Sequence, residues 1–250
     1  MQSTPRINLA ICGGGPGGLA LAVVLNKYCN DIHIDLYESA SQFTEIGAGI
    51  SVWMRTWFIM QSLGLDASLG EMAVQPPVNE PKPGFVFRKS DQAESGHNFH
   101  QMITPYGSIT LHRADMLKVL TDNLPPFQAF QVHFSKRLVS YEQGSDSVML
   151  RFSDGTSAEA DVLVGADGVK SATRATMYRG LAKSAEEYDR NKAGNLRKFV
   201  QASWTGTYAY RALIETESLL RDNPGHQAAT TPMIYFGENK YHIQFHEAAL

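Results

Sequence analysis

The sequence predicts an α/β fold in which a mostly parallel β-sheet is built around a βαβ unit near the N-terminus. An apolar run at Ile7–Cys12 has the composition of a buried parallel strand, and residues 19–28 continue as a helix. A second strand is expected at Ile32–Tyr37, where polar and apolar residues alternate. Strand, helix and strand therefore follow in the order that a right-handed crossover between parallel strands requires.

A glycine motif, Gly13-x-Gly15-x-x-Gly18, separates the first strand from the first helix. Gly13 permits the tight turn, Gly15 lets a ligand approach the backbone, and Gly18 allows close packing of helix on strand. The start of the helix presents free N–H groups and the positive end of its dipole, which suit a diphosphate. A turn without a ligand is the alternative. The flanking strand and helix favour a Rossmann-like, dinucleotide-binding unit.

Glu38 ends the second strand, near the spacing from the motif at which a carboxylate binds ribose hydroxyls. A carboxylate in that place disfavours the 2′-phosphate of NADP, because two negative groups would be forced together. The motif and Glu38 leave NAD and FAD as open alternatives.

The composition excludes several classes of function. The chain has 250 residues, 43% of them hydrophobic, which is enough to bury a sizeable core. Its net charge of -3 arises from 25 acidic and 22 basic residues without a long run of either sign, so neither nucleic acid nor anionic lipid is an expected partner. Two cysteines are too few for a disulfide scaffold or a structural zinc site. We expect no metal, no membrane-spanning segment and a cytoplasmic location, and the oligomeric state stays open.

The domain organisation is expected to be discontinuous. A proline-rich connection between Val74 and Gly84 indicates a boundary, and a helix over residues 113–123 returns the chain to the first domain. Strands at 131–134, 138–142 and 148–152 predict a small β-meander. The first domain then comprises residues 1–75 and 105–180, and a second, β-rich and incomplete domain comprises 76–104 and 195–250.

Three further segments carry a more specific pattern. They are Glu45–Ile50 (EIGAGI), Leu111–Leu117 (LHRADML) and Ala160–Arg174 (ADVLVGADGVKSATR). In order and spacing they resemble the flavoprotein aromatic hydroxylases, the single-component monooxygenase family that includes salicylate hydroxylase. The resemblance implies FAD as the cofactor, NAD(P)H as co-substrate, and an FAD-binding domain interleaved with a substrate domain.

The resemblance also implies roles for individual residues. It places Gly49 and Ser51 beside the flavin, Arg113 at the FAD diphosphate and Asp167 near the pyrophosphate. An arginine suits paired oxygens because its donors form a fixed fork. The alternatives are a solvated charge at a helix start for Arg113 and a helix N-cap for Asp167.

A last similarity concerns the substrate. Residues 204–213 (WTGTYAYRAL) are similar to the family's entry into the substrate-domain sheet, which implies that Arg211 faces an aromatic substrate and holds a phenolate or carboxylate. Tyr241, with Tyr235 and His242 as alternatives, is a candidate general acid or base. Ordinary packing within a sheet is the simpler explanation for any one of these aromatic residues.

The resulting expectation is an FAD-dependent monooxygenase that hydroxylates a small phenolic or salicylate-like substrate with NAD(P)H and O2. The family's later Gly-Asp segment and C-terminal helical region are not among the 250 residues, so we expect a C-terminally truncated member. An inactive FAD- or nucleotide-binding remnant is therefore the alternative. An NAD-dependent dehydrogenase is a weaker one, disfavoured by Arg113 and the Asp167 segment.

Overall fold

A computed structural model describes residues 7–43, 49–73, 80–92, 96–104, 109–126, 129–210 and 214–244. The strands of these ranges are β1 (Ile7–Cys12), β2 (Ile32–Tyr37), β3 (Gly49–Val52), β4 (Lys82–Lys89), β5 (His97–Thr104), β6 (Ile109–His112), β7 (Phe130–His133), β8 (Leu138–Gln143), β9 (Val148–Phe152), β10 (Ser157–Ala160), β11 (Val162–Gly165), β12 (Met233–Gly237) and β13 (Lys240–Gln244). The helices are α1 (Pro16–Tyr28), α2 (Met54–Leu63), α3 (Asp66–Met72), α4 (Arg113–Asp122), α5 (Ala172–Glu186), α6 (Arg190–Arg197) and α7 (Thr216–Asp222), and a 3-10 turn spans Gln227–Ala229.

The chain divides into two compact units. The first comprises Met1–Ile46 and Leu117–Thr207, and the second comprises Gly47–Met116 and Tyr208–Leu250. Residues 47–75 and 105–116, which the sequence assigned to the first domain, thus fall in the second unit, where β3 pairs with β6. The assignment of cofactor and substrate roles to particular domains stays a prediction.

The first unit is built on a parallel sheet with the strand order β11-β1-β2-β7. Its central strand β1 is apolar, and four of its six residues are buried. The predicted βαβ unit and mostly parallel sheet are confirmed. The strand expected at 131–134 was assigned wrongly to the meander: as β7 it extends the parallel sheet, with Phe130 opposite Ile34. An alternating strand shows which face is buried but not which sheet it joins.

The meander packs on one face of this sheet. Strands β8, β9 and β10 pair antiparallel in the order β10-β9-β8, and β10 was not expected from the sequence. Their inward side chains form one apolar cluster with residues of β1 and β2: Ala10, Cys12, Tyr37, Leu138, Leu150, Phe152 and Ala160. The meander therefore covers the C-terminal ends of β1 and β2, and the glycine motif directly follows β1.

Helices complete the first unit. Helix α1 buries Gly18, Leu19, Ala22 and Val23. The polar region at 181–198 forms the end of α5 and the whole of α6. Within the described residues, no helix is both long enough and apolar enough to cross a membrane.

The second unit contains a mixed sheet with the order β13-β12-β4-β5 and a two-stranded ladder of β3 and β6. Val86, Ala228 and Met233 form its small buried cluster, against which Tyr235 packs. Residues 204–213, whose similarity implied the entry into the substrate-domain sheet, have no regular structure over the described part 204–210, so that expectation is wrong there. The strands that follow in the described residues are β12 and β13. β-propensity alone does not form a strand without a partner to pair with.

The core of β1 provides a matched test of this fold. Ile11 is fully buried, whereas Ile7 in the same strand is 37% exposed. We expect Ile11→Ala to lower the free energy of unfolding by about 2–5 kcal/mol, because it leaves a cavity between sheet and helix. Ile7→Ala should cost less than about 1 kcal/mol. Chemical denaturation of both variants measures the difference, and equal losses would contradict the placement of Ile11.

Candidate nucleotide-binding site

The turn after β1 requires glycine at its first position. Gly13 has a φ of 112°, in the region that side chains disfavour, and a Cβ there would overlap the carbonyl oxygen of Ala166. Its N–H donates to the carbonyl oxygen of Tyr37 at 2.8 Å, and the N–H of Ala166 donates to that of Cys12 at 2.7 Å. The turn is thereby joined to the ends of both neighbouring strands, β2 and β11.

The other two glycines of the motif have different surroundings. A Cβ on Gly18 would overlap the carbonyl oxygen of Gly13, so helix α1 can pack this closely only without a side chain there. Gly15 is the N-cap of α1. Among the described residues, a Cβ on it would meet no atom within 4 Å, and no side chain caps the helix. Pro16 follows in the first turn. The first N–H groups of α1 therefore remain available to an anionic ligand.

Glu38 is tied to the glycine turn. Its Oε2 accepts a hydrogen bond from the N–H of Gly14 at 2.7 Å, and its Oε1 accepts from the N–H of Ala40 at 2.7 Å and from the Ser39 hydroxyl at 3.0 Å. Oε2 keeps one lone pair for a further donor. Glu38 can thus hold the turn in place and still accept a hydrogen bond from a ribose hydroxyl.

Asp167 is the second carboxylate at this place. Its Oδ2 accepts from the N–H and the hydroxyl of Thr173, at 3.0 and 3.1 Å. Its Oδ1 is buried and has no hydrogen-bond partner among the described residues. The N-cap of α5 is not Asp167 but Ser171, whose hydroxyl oxygen accepts from the N–H of Arg174 at 2.9 Å. A buried, unpaired carboxylate oxygen is costly, and a ligand with a donor group would relieve that cost.

These groups line one cavity of about 250 Å³ in the first unit. Gly13, Gly15, Glu38 and Asp167, four of the predicted cofactor residues, lie in its wall. Three basic residues that sequence reasoning missed line it as well: Lys136, Arg137 and Lys170. Lys136 is held by Asp154 at 2.6 Å and by the Thr156 hydroxyl at 2.7 Å. The sequence contains little indication of these three basic residues, because short basic stretches after a strand or a turn are common on protein surfaces.

Two titratable groups in the cavity wall are kept neutral. Burial, and to a smaller extent the charge of Asp167, raises the pKa of the Cys12 thiol to about 12. Burial is also the main cause that raises the pKa of the Tyr37 hydroxyl, with a contribution from the charge of Asp35. Both side chains therefore stay protonated at neutral pH and contribute a mostly apolar wall beside the two carboxylates.

The remaining predicted cofactor residues lie in the second unit. Gly49 and Ser51 are in β3, where Gly49 is opposite His112 and Ser51 is opposite Thr110 in β6. Arg113 follows β6 directly and begins α4. The structure thus brings the ends of two predicted segments, around Gly49 and around Arg113, to one end of the same ladder. Residues 44–48 lie outside the described ranges.

The predicted substrate residues are only partly described. Arg211 lies outside the described residues. Tyr241 in β13 is 61% exposed and pairs with Phe236. Tyr235 and His242 are opposite each other in β12 and β13, with their ring centroids 6.2 Å apart, and alternate with Tyr241 to the other face of the sheet. In the described ranges no cluster of His, Cys, Asp and Glu has the arrangement of a metal site.

Comparison with known proteins agrees with this geometry. Residues 6–237 match the family described as "FAD binding domain". The chain belongs to this family, and FAD is the cofactor that membership assigns. The glycine turn, the unpaired oxygen of Asp167 and the free N–H groups of α1 fit such a ligand.

Several relatives are named as monooxygenases or hydroxylases. The chain is 39% identical to the FAD-dependent monooxygenase str9 of Strobilurus tenacellus, over 94% of this chain and 51% of that protein. It is 31% identical to a salicylate hydroxylase of Pseudomonas putida, over 86% of this chain and 45% of that protein. It thus spans about half the length of the curated relatives it matches.

Solved structures show the same fold. A salicylate hydroxylase in complex with substrate superposes with a TM-score of 0.66 at 27% identity, over 97% of this chain and 53% of that one. The HpxO protein of Klebsiella pneumoniae in complex with FAD and uric acid gives a TM-score of 0.53 at 28% identity, over 69% of this chain and 42% of that one.

Because helix α1 packs closely on the Gly13 carbonyl at Gly18, we expect substitution by alanine to have very different effects at Gly18 and at the adjacent Gly17. We expect Gly18→Ala to destabilise the protein by about 2 kcal/mol or more and to abolish FAD binding, because the new methyl group displaces the turn at Gly13. Gly17 is exposed in the first turn of α1 with open space around it, so Gly17→Ala should be neutral or stabilise by up to about 1 kcal/mol. Thermal unfolding and fluorescence titration with FAD measure both effects, and equal behaviour of the two variants would refute the packing role of Gly18.

The two cysteines are expected to react differently. Cys12 is 2% exposed and its thiol has a pKa of about 12, whereas Cys29 at the end of α1 is partly exposed. Only the thiolate reacts with alkylating agents. Iodoacetamide at pH 8 should therefore label Cys29 in the native protein, and both residues after denaturation. Peptide mass spectrometry reads out the sites, and rapid native labelling of Cys12 would count against its burial.

Proposed function

We propose that this chain binds FAD in the cavity at the ends of β1, β2 and β11, and that it serves a monooxygenase that hydroxylates a small aromatic substrate. The observation that carries the proposal is the joint placement of Gly13, Gly15, Glu38 and Asp167 in one cavity wall of a chain that belongs to the FAD-binding family. A ligand with a diphosphate between two alcohol-bearing groups matches that combination of N–H donors and carboxylates.

Each residue of the cavity would contact a different part of the ligand. The N–H groups at the start of α1 would hold the diphosphate, and the lone pair left on Glu38 would accept from a ribose hydroxyl. Asp167 would accept from a donor of the ligand or of a water that the ligand orders. For Gly49, Ser51 and Arg113, contact with FAD is proposed from the sequence resemblance alone, with Arg113 at the diphosphate. When bound, FAD supplies the redox chemistry that activates oxygen.

The substrate class is proposed from the relatives. Those named above include salicylate hydroxylases, and another relative, 31% identical, is the 6-methylsalicylate 1-monooxygenase atA of Aspergillus terreus. The salicylate hydroxylase and atA are named for carboxylated phenols. We propose a phenolic or salicylate-like substrate, with Arg211 holding its anionic group and Tyr241 exchanging the phenolic proton. NAD(P)H is the proposed reductant.

A second candidate is FAD binding without turnover. It uses the same cavity and differs only in the absence of catalysis. An NAD-dependent dehydrogenase, the third reading of the sequence, is disfavoured by membership of the FAD-binding family.

The purified chain distinguishes these candidates. We expect a flavin absorbance spectrum, FAD on release and chromatography, and NAD(P)H oxidation that salicylate or a related phenolic acid stimulates. Tyr241→Phe should lower the stimulated rate at least about tenfold, since proton transfer contributes about 10²–10⁴ to such rates. Tyr235→Phe tests the alternative acid or base, which lies on the other face of the sheet, in the same assay.

Each outcome decides between the proposals. Bound FAD without any stimulated oxidation supports the second candidate. A colourless chain that cannot be loaded with FAD overturns both. Full activity of the Tyr241→Phe variant removes Tyr241 from the mechanism and leaves the FAD site unaffected.

A further inference from the structure

We propose that Thr173 is a positioning residue of the nucleotide site, which fixes the orientation of the Asp167 carboxylate in the cavity wall. The inference rests on the proposed FAD site. It concerns a residue outside the glycine motif and outside the Asp-Gly pair, and it assigns to Thr173 an effect on the ligand exerted through Asp167.

The hydrogen bonds of Asp167 are distributed unequally. Both of its described partners, the N–H and the hydroxyl of Thr173, donate to Oδ2, at 3.0 and 3.1 Å. Oδ1 receives no hydrogen bond from the described residues although it is buried. A free carboxylate would rotate to share two donors between its oxygens, because an unpaired buried oxygen costs free energy. Two donors on one atom therefore hold the carboxylate in an orientation that leaves Oδ1 unused.

Thr173 is itself rigidly placed. It lies in the first turn of the 15-residue helix α5, whose N-cap Ser171 accepts from the N–H of Arg174 at 2.9 Å. Its side chain packs on Gly165 at the end of β11: a Cβ on that glycine would approach the Thr173 Cβ to 2.6 Å. Gly165 thus leaves room for Thr173, and the hydroxyl is fixed by a strand end on one side and a helix on the other.

The same elements reach the glycine turn. The N–H of Ala166, the residue between Gly165 and Asp167, donates to the carbonyl oxygen of Cys12 at 2.7 Å. The Ala166 carbonyl oxygen lies so close to Gly13 that a Cβ on that glycine would overlap it. The Asp167 carboxylate is therefore held at a fixed place relative to the N–H groups that receive the diphosphate. A positioned carboxylate binds a ligand donor without the cost of being ordered first.

Two substitutions at position 173 separate the hydroxyl from the shape of the side chain. Thr173→Val removes only the hydroxyl donor, and Thr173→Ser keeps it but removes the methyl group. We expect about tenfold weaker FAD binding for the valine variant, because one hydrogen bond to a charged group is lost while the N–H bond remains. The serine variant should bind within about threefold of the unchanged chain.

A matched control lies one turn further along α5. The Thr176 hydroxyl is also buried, but it has no hydrogen-bond partner in the described structure. Thr176→Val should therefore leave FAD affinity unchanged and leave stability unchanged or raised, because it removes a buried polar atom that bonds to nothing. Fluorescence titration gives the dissociation constants, and thermal unfolding of the ligand-free chain detects damage to the fold.

A double-mutant cycle tests the route through Asp167. In an Asp167→Asn background, Thr173→Val should have a different and smaller effect on FAD affinity, because the charged acceptor is already lost. An equal effect in both backgrounds overturns the inference, as does equal weakening by the serine and valine variants, which would mean packing alone. Unchanged affinity of the valine variant also overturns it. Failure of the unchanged chain to bind FAD is distinguishable from these, since it overturns the proposed function itself.

Discussion

The nucleotide site depends on the turn in which the chain leaves β1. At that point the carbonyl oxygen of Cys12 accepts from Ala166 and the N–H of Gly13 donates to Tyr37, so the central strand is joined to both neighbours at its last residue. Only a residue without a Cβ can make this turn, because Ala166 occupies the space. The position of α1, and with it the direction of its free N–H groups, follows from that constraint.

The two carboxylates of the cavity accept hydrogen bonds from the protein and still keep lone pairs for a ligand. Glu38 binds the backbone of Gly14 and Ala40, and Asp167 binds the start of α5 through Thr173. In both cases the hydrogen bonds to protein donors leave at least one lone pair on the carboxylate. Groups that a cofactor would contact are therefore already ordered by the protein, which lowers the entropic cost of binding.

The first unit was largely predictable because its signals are local. The glycine motif, Glu38 and the apolar strands each follow from sterics or periodicity within about 30 residues. What the sequence could not reveal depends on pairing at a distance: β7 joins β2, and Lys136 reaches Asp154 across the meander. The second unit was harder, since aromatic residues near Trp204 indicate burial but not a partner strand. The hydrogen-bond partners of Glu38 and Asp167 could not be predicted from the sequence either, because they depend on side-chain orientation.

The order in which β1 pairs with its neighbours has a consequence for biosynthesis. β2 follows β1 closely, but β11 lies far along the chain: the hydrogen bond between Asn8 and Asp161, beside the β1–β11 ladder, spans 153 positions. At roughly 5–20 residues per second, the ribosome releases that partner about 8–30 s after β1. During this interval one edge of the central strand has no native neighbour, and the second unit's segment 47–116 emerges first. A nascent chain of this design is thus exposed to mispairing until its last parallel strand arrives, and protection by chaperones would matter most in that window.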